Sequence, residues 1–584
     1  MSTQIASDLT PVRRLMRLLG QYRREIRYIM LYAVVAGLIT LSLPLGIQAI
    51  IGQIAGGAIN ASWGVLVLFV VVGVLLAGVL RLMQLSVMEY MQRRIFTDSA
   101  IEFAFRIPRL NLEALHKEHI PELINRFFDT LTLQKGLPKL LIEGSTALLQ
   151  ILFSLMLLSF YHGAFVTFSL LLLLVLSVFF YWAAPLGINS SLLESKYKYK
   201  IAYWLEELGR MAATFKLAGE ETFTLRRTDN LTVEYLDARA RHWRILMAKF
   251  IGGTIFRVFV LGGFLVLGSL LVVQNELNIG QFVAAEILVI YVIEAVEKLI
   301  ILHETGYDVI TAAEKLGQVA DLPLEREGGI SISEICKPDQ PIEVEMRKLG
   351  YQYDDGETQI LKDITLKIGA GESVLIAGYG GSGRSTLMQI LSVLKRDFTG
   401  SLLFNGLPKG NINLRSLRER IGDLSSQEDL FKGTIRENIT MGNPAISIHK
   451  LMQVVEQVGL SAFIQNSNNG VDTELLPGGK NIPGSITSKI LIARAVISSP
   501  GLLVMEQPLG KINQRDRVIL SNFLTDKKQP WTLVCTSEDP MLAAFCDRIV
   551  ILDAGRIVFE GTFEAVQQTE HFKKVFHTMY RSEG

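Results

Sequence analysis

The chain has 584 residues, 49% of them hydrophobic and 20% charged, with 58 Lys and Arg against 57 Asp and Glu. That length calls for more than one domain, and a mean hydropathy of +0.33 is too high for an ordinary soluble enzyme, so part of the chain belongs in lipid. Balanced charge argues against a nucleic acid or any other general polyanion as partner, and so much apolar sequence excludes intrinsic disorder.

The first residues lack the apolar core and cleavage site of a signal peptide. Pro11–Leu19 reads instead as a short amphipathic helix lying on membrane lipid at the inner surface. Six apolar runs follow: Tyr28–Ile51, Trp63–Leu80, Thr146–Tyr161, Phe165–Ala184, Val258–Val273 and Phe282–Leu302. Judged against the ~20 residues that cross a bilayer, they are six spans in three hairpins. Links within hairpins carry almost no positive charge, whereas the long links between them hold Arg93, Arg94, Arg106, Arg109, Lys117, Arg126, Lys135 and Lys139. The basic links and the Arg-rich N-terminus are therefore cytoplasmic. Ser86–Lys139 and Asn189–Lys249 are helically patterned, which predicts membrane helices that continue into the cytoplasm.

Ionisable residues inside a span mark candidate substrate paths. In the last span Glu286 lies roughly 6 Å and Glu294 roughly 18 Å from Phe282 at the helical rise. Glu294 is the deepest, and one turn later Lys298 offers it a partner on the same face. Both readings, a substrate contact and a locally satisfied acid, stay open.

After about Ala320 the pattern changes to a polar link with Pro323, Gly328 and Gly329, then to short apolar strands separated by helices. The predicted domains are residues 1–320 in the membrane, a linker over 321–341, and one α/β unit over 342–584. All three cysteines, Cys336, Cys535 and Cys546, lie in this half without disulfide or metal-ligand spacing, which fits a reducing cytosol. Ser373–Ala377 is a buried-strand run, followed by Gly378-Tyr-Gly-Gly-Ser-Gly-Arg-Ser-Thr386 and the helix-like Leu387–Leu394. Strand, Gly-rich turn and helix is the context in which Gly378, Gly381 and Gly383 let backbone N–H groups converge on phosphate oxygens. The spacing to Ser385 and Thr386 fits a P-loop, with Arg384 where Lys is the rule.

Neighbouring segments extend the likeness. Tyr351-Gln-Tyr353 precedes Ile360–Leu366, Gln427 opens Gln427-Glu-Asp-Leu-Phe431, and Asp547–Arg556 forms a closing strand and turn. In this order they resemble ATP-binding-cassette (ABC) exporters over nearly the whole chain. The resemblance implies a membrane all-α six-helix exporter domain followed by an α/β P-loop ABC ATPase domain, a half-transporter. It implies ATP and Mg²⁺ as ligands, Tyr353 stacked on adenine, and Gln427, Ser385 and Glu506 as Mg²⁺ contacts. It also implies coupling regions around His116–Asp129 and Tyr203–Glu221.

Several motifs depart from the family. At the signature position stands Ile482-Pro483-Gly484-Ser485-Ile486 in place of Leu-Ser-Gly-Gly-Gln, so only Gly484 is kept and Ser485 brings a side chain where backbone should approach phosphate. Gln507 occupies the position of the general base, and an amide orients water without accepting its proton. Gly510-Lys-Ile-Asn513 replaces Ser-Ala-Leu-Asp, and Ser537 occupies the switch-histidine position. Arg384 keeps the positive charge in a bulkier, forked form.

These departures predict a domain that binds ATP and hydrolyses it poorly. A homodimer would hold no complete site, so an intact second half-transporter is the favoured partner. A homodimeric active exporter and a non-catalytic membrane scaffold remain as alternatives. The transported substrate is unspecified, and the lack of a transit peptide favours a bacterial inner membrane.

Overall fold

The computed structural model describes residues 10–55, 61–111, 120–326, 328–353, 358–424 and 429–576, in two compact units, residues 1–324 and 325–584. The first unit is helical. Helix α1 (Pro11–Leu19) is followed by α2 (Arg23–Thr40), α3 (Ser42–Ala55), α4 (Ala61–Arg106), α5 (Asp129–Ser159), α6 (Gly163–Arg210), α7 (Glu221–Val273) and α8 (Ile279–Ala320). Among the described residues, six helical segments are long and apolar enough to cross a membrane.

The run Tyr28–Ile51 is not one helix. It breaks at Leu41, between α2 and α3, because Pro44 has no N–H to offer the carbonyl of Thr40. Of the other five runs four lie within one helix each, and Thr146–Tyr161 runs two residues past the end of α5 at Ser159. With 46 and 53 residues, α4 and α7 are roughly 70 and 80 Å long, far more than the ~30 Å hydrocarbon core. On α4, Val65, Phe69, Leu75 and Leu82 are each more than 60% exposed. That much apolar surface is stable against lipid and not against water.

Inside the helical unit, Leu158, Phe165, Phe264 and Val292 pack α5, α6, α7 and α8 around one core. A second core of Tyr22, Ile29, Met91, Leu133 and Val309 lies toward the cytoplasmic ends. Helix α1 has the predicted bounds, and Arg14 ties it to the end of α8 through Glu314 (2.8 Å) and Asp321 (2.7 Å). Tyr199 of α6 donates a hydrogen bond to Asp129, at the start of α5. Between α6 and α7 the chain turns through the short helix Ala212–Ala218, which Gly219 ends in a left-handed conformation. Of the first coupling region, residues 116–119 lie outside the described residues.

Among the described residues the second unit contains three sheets. Strands β1 (Val344–Gln352), β2 (Gln359–Ile368), β4 (Thr399–Phe404) and β5 (Leu407–Pro408) form one in the order β2-β1-β4-β5. A six-stranded sheet has the order β12-β11-β3-β10-β9-β6, from β3 (Ser373–Gly378), β6 (Ile421–Leu424), β9 (Leu502–Glu506), β10 (Thr532–Thr536), β11 (Arg548–Asp553) and β12 (Arg556–Gly561). A small pair, β7 (Gly433–Thr434) and β8 (Glu474–Leu475), completes it. Strand β3 is buried along its whole length and parallel to both neighbours, β10 and β11. This explains its continuous apolar run, since a central parallel strand is covered on both faces.

The topology yields a labelling test. Cysteine placed at Gln274, exposed between α7 and α8, reacts with a membrane-impermeant maleimide from outside intact cells, whereas cysteine at Lys216 reacts only after lysis. Background is low because all three native cysteines are buried. Equal labelling of both positions in intact cells would contradict the assigned orientation.

Candidate functional site

Strands β3, β10 and β9 are adjacent and parallel, so their carboxyl ends open on the same edge of the sheet, where ligands of open α/β sheets bind. The loop after β3 leads into helix α9 (Arg384–Leu391). Ser537 follows β10, and Gln507 follows β9. Residues far apart in sequence thus meet at one edge.

The loop geometry requires its glycines. A Cβ at Gly378 would lie 2.4 Å from the carbonyl oxygen of Leu552. Gly383 caps α9 with φ +94°, and a Cβ there would lie 2.7 Å from Leu361 Cδ2. Gly381 is also left-handed, with φ +78°. Two polar atoms of the loop, Ser382 Oγ and Arg384 Nη1, are buried without a hydrogen-bond partner. Unmet donors beside a helix N-terminus fit a phosphate. The other arm of Arg384 is occupied, with Nη2 donating to Glu538 Oε1 at 3.0 Å.

Ser385 Oγ donates to Glu506 Oε1. A hydroxyl beside a carboxylate is a fit for Mg²⁺, which takes one or two protein oxygens and completes its shell with water and substrate phosphates. Among the described residues no group of three or more His, Cys, Asp or Glu could hold a metal by itself. Gln427, the third predicted Mg²⁺ contact, lies outside the described residues.

Tyr353 is 43% exposed. Its hydroxyl meets Thr386 Oγ1 at 3.4 Å, and its ring packs edge-on against Tyr351. Lys395 Nζ lies 4.3 Å from the Tyr353 ring centroid and donates to the Tyr351 hydroxyl. Lys395 thus supports the aromatic pair from beneath, a role that sequence reasoning missed.

Gln507 is exposed with φ +45°, an uncommon conformation for a residue with a side chain. Its N–H donates to the Thr536 carbonyl at 2.9 Å, which binds the end of β9 to the end of β10. Ser537 is buried, and its hydroxyl accepts from the Asp539 N–H at 3.0 Å. Asp539 caps helix α10 (Pro540–Phe545) in turn.

Gly484 and Ser485 begin helix α11 (Gly484–Val496) behind Pro483, which supplies no side-chain cap. Ile482 and Ile486 pack against the core that contains Ile490, so the apolar residues of this loop serve packing. Helix α11 packs on β6, at the opposite edge of the sheet from β12, and a Cβ at Gly484 would lie 3.7 Å from Lys511 Cδ, in the segment after β9. Buried Lys489 bridges Asp516 at 2.7 Å and donates to the Gly459 carbonyl. Burial pushes the Asp516 carboxyl up, but the Lys489 hydrogen bond and charge outweigh it and hold it below the ordinary range.

In the membrane helices, Glu286 is half-buried and Glu294 exposed. Glu294 makes no ion pair with Lys298, contrary to the local option read from sequence. The pair formed nearby is Arg257–Glu297, at 3.0 Å.

Residues 361–510 match the ABC transporter family model. The chain is 27% identical over 296 residues to the alpha-hemolysin translocation ATP-binding protein HlyB of Escherichia coli O157:H7, covering 51% of this chain and 41% of that protein. It is 26% identical over 304 residues to the leukotoxin export ATP-binding protein LtxB of Aggregatibacter actinomycetemcomitans, covering 52% and 42%. The matches thus span about two fifths of these relatives' length. A bacterial Atm1-family ABC exporter solved with ATP bound superposes with a TM-score of 0.83 at 18% identity, covering 96% of this chain and 99% of that one. Six apolar helices followed by one α/β nucleotide-binding domain match the fold of that ABC exporter.

Replacing Lys489 by Met is expected to destabilise the nucleotide-binding unit by about 2 kcal/mol, the scale of a charged hydrogen bond lost at a buried site. Asp516 is held below its ordinary value, so its contribution is present above a pH of about 4 and lost as pH falls through the lowered pKa. The gap between wild type and variant in thermal melts of the full chain should therefore narrow in acid. A variant that melts with the wild type at neutral pH would show the bridge to be dispensable.

Proposed function

We propose that this chain is one subunit of an ATP-driven exporter in a bacterial inner membrane, with a nucleotide-binding domain that binds Mg·ATP and hydrolyses it poorly. Gln507 carries the reading. It stands at the sheet edge beside the phosphate loop, where hydrolysis calls for a group that takes a proton from water, and its amide cannot do so. The hydroxyl of Ser537 is engaged by the Asp539 N–H and has neither the reach nor the charge of an imidazole.

In this reading the backbone of Gly378–Gly383, the free arm of Arg384 and the hydroxyl of Thr386 hold the phosphates, and Tyr353 takes the adenine. Mg²⁺, held by Ser385 and Glu506 with Gln427, would neutralise phosphate charge. In this reading a second half-transporter brings its own signature loop to this phosphate loop. An intact partner in a heterodimer supplies the turnover that this chain's motifs lack. Motion then passes to the membrane helices through the coupling regions around His116–Asp129 and Tyr203–Glu221, with Glu286 and Glu294 as candidate contacts on the substrate path.

The test is ATP binding and hydrolysis by the full chain in lipid nanodiscs, beside Gln507→Glu and Arg384→Lys. The expected outcome is binding without turnover, left unrepaired by either substitution because the signature loop is altered too. Substantial turnover by the wild-type chain alone would overturn the proposal.

A further inference from the structure

The phosphate loop has a second resident that the sequence motifs do not include. Glu538, on the turn after β10, places Oε1 3.0 Å from Arg384 Nη2. The cation at this loop position is the one that reaches the outer phosphates of a bound nucleotide. Here a carboxylate already pairs with it, carrying the same sign of charge as the phosphate it would meet.

Stability is a poor explanation for the Arg384–Glu538 pair. Glu538 is 43% exposed, and ion pairs so open to water contribute little to folding. Its effect falls on the ligand instead. The guanidinium fork has two usable edges. Glu538 takes one, and Nη1 is left buried without a partner. Ser382, only 3% exposed, adds an unpartnered hydroxyl to the same loop. The free donors suffice for the phosphates nearest the loop backbone, whereas the outermost phosphate must compete with Glu538 for Arg384 and approach it against like charge.

We infer that Glu538 is a specificity-determining residue that sets this site to hold a nucleoside diphosphate at least as tightly as the triphosphate. This rests on the reading of residues 378–386 as a nucleotide site. The site would then be filled by ADP as readily as by ATP, and its occupancy would follow the total adenine nucleotide pool.

The test is calorimetric titration of the full chain in nanodiscs with Mg·ADP and with a non-hydrolysable Mg·ATP analogue, for wild type, Glu538→Gln and Glu538→Ala. Wild type should bind the diphosphate as tightly as the analogue or more so. Either substitution should tighten the analogue about tenfold, the effect of restoring one charge-assisted contact, and change diphosphate affinity less than about threefold. A wild type that prefers the analogue, with a ratio unmoved by both substitutions, would overturn the inference and leave nucleotide binding intact. Failure of both nucleotides to bind any of the three proteins would instead sink the nucleotide reading itself.

Discussion

The chemistry of the C-terminal unit depends on the parallel pairing of β3 with β10 and of β10 with β9. Successive hydrogen-bonded strands running in one direction end together, and each end delivers a different part: the phosphate loop, the Ser537–Glu538 turn, and Gln507. A slip of one residue in any of these strands would turn buried side chains to the other face. The continuous burial of β3 resists such a slip, so the apolar core and the polar edge are fixed by the same pairing.

At that edge, the balance of charge is unusual for a place meant to receive a polyanion. Arg384 is paired with Glu538, and the hydroxyl of Ser385 is bound to Glu506. The loop backbone keeps its shape because Gly378 and Gly383 leave no room for a Cβ. Around it, the backbone of Gln507 is tied to Thr536, and Ser537 is absorbed into a turn. The strand, Gly-rich loop and helix of the nucleotide-binding fold are present, and poor turnover is what we propose for the side chains around them.

The membrane unit solves a different problem. Helices α4, α6, α7 and α8 are more than twice as long as the hydrocarbon core requires, so their cytoplasmic portions must be stabilised by ordinary packing and ion pairs. Arg14 with Glu314 and Asp321, and Tyr199 with Asp129, are of this kind. Toward the middle of the spans the polar pairs give way to packed aromatic and aliphatic side chains such as Phe165 on Phe264, with further apolar side chains left outward for lipid.

The sequence by itself determined what depends on local pattern. Apolar runs long enough to span lipid, the bias of Arg and Lys between links, the amphipathic helix Pro11–Leu19, and the strand, Gly-rich turn and helix around Gly383 are each readable because their signal lies within a few neighbouring residues. The break at Leu41 was also legible in principle, from Pro44. Tertiary structure decided what depends on partners distant in the chain. Glu294 does not pair with Lys298 on its own helix, whereas Glu297 pairs with Arg257 on another. Glu538 meets Arg384 across 154 positions only because β10 lies beside β3, and Lys489 finds Asp516 only because two helices pack. Spacing along a chain fixes which face of an element a residue occupies, and the pairing of whole elements then fixes which charges meet.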